Sequence, residues 1–237
     1  MPKFLGAVLY SGTSAIDGEP IVLIATGFSG SHNVKTGAGL IQTWIIRPDM
    51  APSEASRRGL DASVCGACPH RGDHDADGAL IPQTRSCYVT LAHGPSSVYR
   101  AYRAGAYAGM THAGPDAISA LFAGRMVRLG AYGDPAAVPY TVWQAITAHT
   151  PGHTGYTHQW REHPEFAPLV MASCDTPADR VLAKALGFRT FPSRRPWAGH
   201  AMPARCCAPP APKRGNAQRA MLAAPVVAHL PRPAPTS

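Results

Sequence analysis

Charge is scarce in this chain: only 15% of its 237 residues are Asp, Glu, Lys or Arg, against an apolar share of 45%. Disordered segments combine many charges with few apolar groups, so this balance excludes disorder for the body of the chain. Also missing is any run near the roughly 20 apolar residues that a helix needs to cross a bilayer, and no membrane association is expected. The apolar run at residues 4–10 is at the lower limit for an export signal and is interrupted by Gly6. A cytoplasmic protein is therefore expected, with reduced thiols that serve as metal ligands or buried groups rather than disulfides. A phosphate-binding loop is lacking too. In GFSGSHNVKTG, Val34 stands where such a loop needs glycine before Lys35 and Thr36, and Gly27 and Gly30 are misplaced, so a flexible loop is expected. Acidic residues are in the minority, 14 against 22 Lys and Arg, for a formal charge of +8. That sign favours anionic partners, either phosphorylated small molecules or nucleic acid, although no lysine-rich run with interleaved aromatics marks a nucleic-acid stripe.

What the chain does have is a dense cysteine loop. Residues 65–87, CGACPHRGDHDADGALIPQTRSC, hold half of the six cysteines and two of the eleven histidines. Two thiols three positions apart, Cys65 and Cys68, can grip one ion, and Cys87 closes the loop at its far end. A closed structural site needs a fourth ligand, and the sequence offers His70, His74, Asp73, Asp75 or the distant Cys206 and Cys207 without choosing among them. The expected metal is zinc or an iron–sulfur cluster.

The hydrophobic pattern predicts strands at residues 21–26, 40–47, 88–91, 126–132, 153–160, 169–174 and 188–193, with another at 225–229, and helices at 52–61, 95–107, 116–123, 136–149 and 178–186. Asp134-Pro135 and Asp175-Thr176-Pro177 are cap-plus-proline starts of helices, and Gly187 is a stop. Strand and helix alternating every 20 to 25 residues or so predict parallel βαβ units. The fold expected is α/β, a complete or partial (β/α) barrel with parallel strands, or failing that an open doubly wound sheet. One domain is expected over residues 1–200, carrying the cysteine loop at 62–90. The remaining 201–237 are expected to be a proline-rich basic tail, partly disordered.

Parallel sheets place their sites at the carboxyl ends of strands. The polar residues there include Asp134, His158 and Asp175, which are the candidate catalytic groups, with His158 the proton carrier. A helix cap accounts for each aspartate equally simply, and a hydrogen-bonded core position for His158. Cys174 follows an apolar strand and is expected to be a buried thiol.

Read in order, KTGAGLIQTWI, CGACPHR, CYV followed by GPSSVYRAYRAGAY, RLGAYGDPAAVP, TGYTHQW and GFRTF resemble a group of bacteriophage and prophage proteins that share the CxxC…CYV loop, over most of residues 33 to 193. That resemblance implies a host-cytoplasmic setting and often a second cysteine cluster near the C-terminus, where this chain has only Cys206 and Cys207; it implies no particular activity. The architecture is also similar to that of radical S-adenosylmethionine enzymes, whose Cys-x3-Cys-x2-Cys spacing is missing here. Three functions follow. Cys65, Cys68 and Cys87 could hold an iron–sulfur cluster beside Asp134, His158 and Asp175 in an enzyme acting on an anionic, possibly nucleotide or nucleic-acid, substrate. The cysteines could hold zinc as a staple while the strand-end groups do the chemistry, or the protein could be a zinc-stapled, non-catalytic nucleic-acid binder.

Overall fold

The computed structural model describes residues 4–29 and 39–193, all within one compact unit, Met1–Trp197. Its centre is β2 (Pro20–Thr26), in which the five residues Ile21, Val22, Leu23, Ile24 and Ala25 are fully buried. A strand apolar on both faces with no alternation is one covered on both faces. On one side it pairs antiparallel with β1 (Gly6–Thr13), on the other antiparallel with β3 (Ile41–Ile46). From β3 onward the pairing turns parallel: β5 (Val127–Tyr132), β6 (His153–Thr157), β7 (Met171–Cys174) and β8 (Arg189–Pro192) follow, with a register shift between Gln42 and Trp44 where β3 meets β5, while the two-residue β4 (Ala108–Gly109) sits outside β1. The order is β4-β1-β2-β3-β5-β6-β7-β8.

The fold is thus mixed α/β with a mostly parallel eight-stranded sheet. Among the described residues the sheet is open, with β4 and β8 at its edges, and does not close into the expected barrel. The reason lies in the first third. Only residues 14–19 separate β1 from β2, which suits a hairpin but is too short for a crossover, so these strands run antiparallel and cannot continue a barrel stave by stave. The run at residues 4–10, considered above only as a weak export signal, is mostly β1. The strand expected at 88–91 is irregular instead: the Arg85 guanidinium occupies the carbonyls of Cys87 and Val89, which no neighbouring strand reaches. The segment at 225–229 lies outside the described residues, as do Cys206 and Cys207. No helix among the described residues is long and apolar enough to cross a membrane.

The helices are short: α1 (Pro52–Arg57), α2 (Ala62–Cys65), α3 (Gly94–Arg103), α4 (Pro115–Phe122), α5 (Tyr140–Thr147) and α6 (Pro177–Ala185). Two of the predicted starts divide their labour differently from expectation. Asp134 does cap, its carboxylate accepting from Ala136 N at 3.0 Å, but over a 3-10 turn that precedes α5. At α6 the cap is Thr176 in a reciprocal box with Asp179, which leaves Asp175 outside the helix. Because β3 and β5 to β8 run the same way, their carboxyl ends share one edge. There the chain after β5 turns at Gly133, whose φ of +89° favours glycine and whose added Cβ would lie 2.6 Å from Ile45 Cβ and 2.9 Å from Val64 Cγ1. Gly133→Ala is expected to cost about 2–4 kcal/mol, combining backbone strain with overpacking; the urea midpoint measures it.

Candidate functional site

The carboxyl edge of β5, β6 and β7 opens into a cavity of about 470 Å³, walled on its other side by the cysteine loop. The loop has little secondary structure of its own, α2 being a single turn too short to stand alone. Polar anchors hold it. Arg71 donates to the Asp61 carboxylate at 2.9 and 2.6 Å and to the carbonyls of Gly66 and Gly59 at 3.0 and 2.8 Å. Gln159, two residues past β6, accepts from Ala67 N at 3.2 Å and donates to the Cys65 carbonyl at 3.3 Å. Gly66 makes that approach possible, since a Cβ there would lie 2.4 Å from the Gln159 amide carbon. Backbone contacts add to these: Asp134 N donates to the Val64 carbonyl at 2.7 Å, and Cys87 N to the His70 carbonyl at 3.0 Å.

These anchors deliver His70 to the end of the sheet, opposite His158 and Asp175. The His70 Nε2 lies 3.1 Å from Asp175 Oδ1, and the His158 Nε2 lies 3.6 Å from Asp175 Oδ2. The two imidazoles meet edge to face with centroids 5.4 Å apart. One ligand atom from each of the three side chains can be chosen so that all lie within 4.8 Å of one another. Donors held about 2.1 Å from an ion in tetrahedral geometry stand roughly 3.4 Å apart, and each imidazole lies close to that spacing from one of the two Asp175 oxygens.

The surroundings orient each donor. His70 Nδ1 bonds the Ser86 hydroxyl at 2.7 Å, which leaves Nε2 to face Asp175, and the Ser193 hydroxyl donates to Asp175 Oδ1. Outer partners of this kind fix ring orientation in metal sites. His158 Nε2 is buried without a protein hydrogen-bond partner. Burial, partly offset by Asp175 and reinforced by His70, pulls His158 down to about 4, so its ring is neutral at pH 7 and has a lone pair to give. A neutral imidazole nitrogen without a partner can accept a proton or coordinate a cation.

Of the residues singled out from the sequence, His158 and Asp175 come together and Asp134 stands beside them in a different role. Its second oxygen accepts from His158 N at 2.8 Å while the first holds Ala136 N. With both oxygens engaged, Asp134 is a positioning residue for the His158 loop. Burial raises its carboxyl against the pull of those hydrogen bonds. Trp160 pins the same loop by donating to the Ser173 carbonyl at 2.9 Å.

Cys65, Cys68 and Cys87 all border the cavity without belonging to the His70–His158–Asp175 set. Burial pushes the Cys65 thiol well up and Cys68 to about 12, with the neighbouring Cys87 adding to both shifts. Cys65 and Cys68 are therefore protonated unless a cation takes the proton's place. The other possible fourth ligands separate: His70 enters the site, while His74 bonds the Ser56 carbonyl at 2.9 Å and Asp75 accepts from Asp77 N and Ala79 N in its own turn. Cys174 is buried, directs its thiol at the Ala172 carbonyl and is pushed up to about 11, as expected for a packed group. His70 was visible in the sequence as one option among several. Its 105-residue separation from Asp175 hid the pairing.

Comparison with the families of known proteins, with curated proteins and with solved structures finds no match to this chain.

Proposed function

We propose that the protein is a metal-dependent enzyme whose single divalent ion, zinc, is held by His70, His158 and Asp175 and keeps an open position toward the cavity. The observation that carries this reading is the convergence of three donors, two of which, His70 and His158, border the cavity, with one imidazole nitrogen buried and without another protein partner. Two histidines and a carboxylate with an open position suit hydrolytic zinc, and equally non-haem iron. Three thiols facing the same cavity favour the redox-inert ion, since oxygen activation beside them would oxidise them. An ion so placed polarises an acyl or phosphoryl oxygen or supplies hydroxide at neutral pH. The chain's own groups then hold and orient the reactants, in keeping with an anionic substrate and, on the resemblance to phage proteins, a host-cytoplasmic setting.

A second reading has its own observation. Three thiols on one cavity wall, Cys65, Cys68 and Cys87, could hold the metal, as zinc or an iron–sulfur cluster. Metal analysis of protein purified without oxygen decides between the two. Expected is one zinc per chain in the wild type and in Cys68→Ser, and none in His158→Ala. Metal kept in His158→Ala and lost in Cys68→Ser transfers the site to the cysteines. A brown, iron-containing protein, or no metal at all, ends the zinc proposal.

A further inference from the structure

Among the described residues, the cavity wall contains one guanidinium or ammonium group, that of Arg128, near the amino end of β5 between Gln42 of β3 and Thr154 of β6. None of the ion pairs among the described residues involves it; the carboxylates there go to Arg47, Arg58, Arg71, Arg161 and histidines. Among the described residues its guanidinium makes one hydrogen bond, Nη2 to the Tyr88 hydroxyl at 2.8 Å, a neutral acceptor on a residue 73% exposed at the rim. A guanidinium has five N–H donors in a fixed fork suited to a carboxylate or phosphate. Beside it the wall is apolar and aromatic. Tyr156 and Phe191 both border the cavity with ring centroids 4.5 Å apart, and Val89 and Pro192 adjoin them. An arginine without a carboxylate next to a ring-lined wall selects a compound with an acid group on a flat body.

We propose that Arg128 and Tyr88 bind the acid group, carboxylate or phosphate, of a small ring-containing substrate whose flat part lies against Tyr156 and Phe191. This deepens the zinc-enzyme reading by naming its substrate class, and as an anion site it can be tested without the ion. Two matched pairs of probes separate the acid chemistries in calorimetric titrations of the full-length, zinc-loaded protein: nicotinate against nicotinamide, and adenosine 5′-monophosphate against adenosine. Expected is binding of at least one acid, at least tenfold tighter than its uncharged partner. Arg128→Met should weaken that acid roughly 10–100-fold with zinc content unchanged, since a charged hydrogen-bonded contact is being removed. Arg128→Lys should recover part of the loss, and Tyr88→Phe should lose a few-fold. The proposal is overturned if the acids and their neutral partners bind alike, if neither acid binds at millimolar concentration, or if Arg128→Lys and Arg128→Met both bind like wild type. Arg128-dependent binding to a protein that holds no zinc would uphold the anion site and sink the metal enzyme. Normal zinc without any acid preference would do the reverse.

Discussion

Asparagine in place of Asp175 is expected to leave the protein folded and abolish the proposed zinc binding. The side chain keeps its size but loses the charge that faces two imidazoles at 3.1 and 3.6 Å, so a dication would face a ligand set with no negative group. Outer-shell losses in metal sites typically cost about 10–100-fold in affinity, and Ser86→Ala and Ser193→Ala should fall in that range, because each removes only the group that orients a ligand. Asp175→Asn should exceed both by at least another factor of about ten. The fold should tolerate the change because Thr176 and Asp179 cap α6 without help from Asp175. Thermal unfolding with and without added zinc separates folding from binding. At a free-ion concentration of 100 Kd the wild type gains about 2.7 kcal/mol, whereas the variant should gain nothing measurable under the same conditions. An Asp175→Asn protein that melts like wild type and still gains stability from zinc would remove the carboxylate from the ligand set.

How much of this was legible in the chain depends on whether the signal was local. The parallel half reads directly. β5, β6, β7 and β8 appear as apolar runs spaced by caps and prolines, and His158 and Asp175 stand out as polar residues at strand ends. Antiparallel β1 was missed because its run is short and partly polar, and pairing with β2 is what makes it a strand. Residues 88–91 failed the opposite way: Tyr-Val-Thr-Leu has strand propensity, but the chain offers it no neighbour. Asp134 was seen as a cap, which it is, and as a candidate acid or base; no local pattern reveals that its second oxygen accepts from the amide of His158, 24 residues away. The three cysteines were picked by spacing and do face the site. Spacing could not show that His70, between them, would be the group to meet Asp175.

That meeting depends on an ion pair 10 residues apart in the chain, and the second large effect is expected there. Arg71 and Asp61 are 17% and 5% exposed, and Arg71 also satisfies two loop carbonyls. Arg71→Met strands a buried carboxylate and should cost about 3–5 kcal/mol, the usual penalty for removing one partner of a buried pair. Because His70 is the residue just before Arg71, the loosened loop should also bind zinc more weakly, although Arg71 touches no ligand atom. Adding Asp61→Leu removes the stranded charge and should recover part of the stability, leaving a deficit from the carbonyls of Gly59 and Gly66 that neither apolar side chain can serve. Urea unfolding of the two single variants and the double variant gives the coupling between them, expected at roughly 1–3 kcal/mol for residues in direct contact. Zinc affinity should not follow that partial recovery, because the position of Gly66, and with it the Gln159 contact that holds the loop to β6, depends on the guanidinium itself. If zinc affinity and stability recovered in step, Arg71 would act on the site only through global stability. If affinity stays low while stability returns, the guanidinium sets the position of His70.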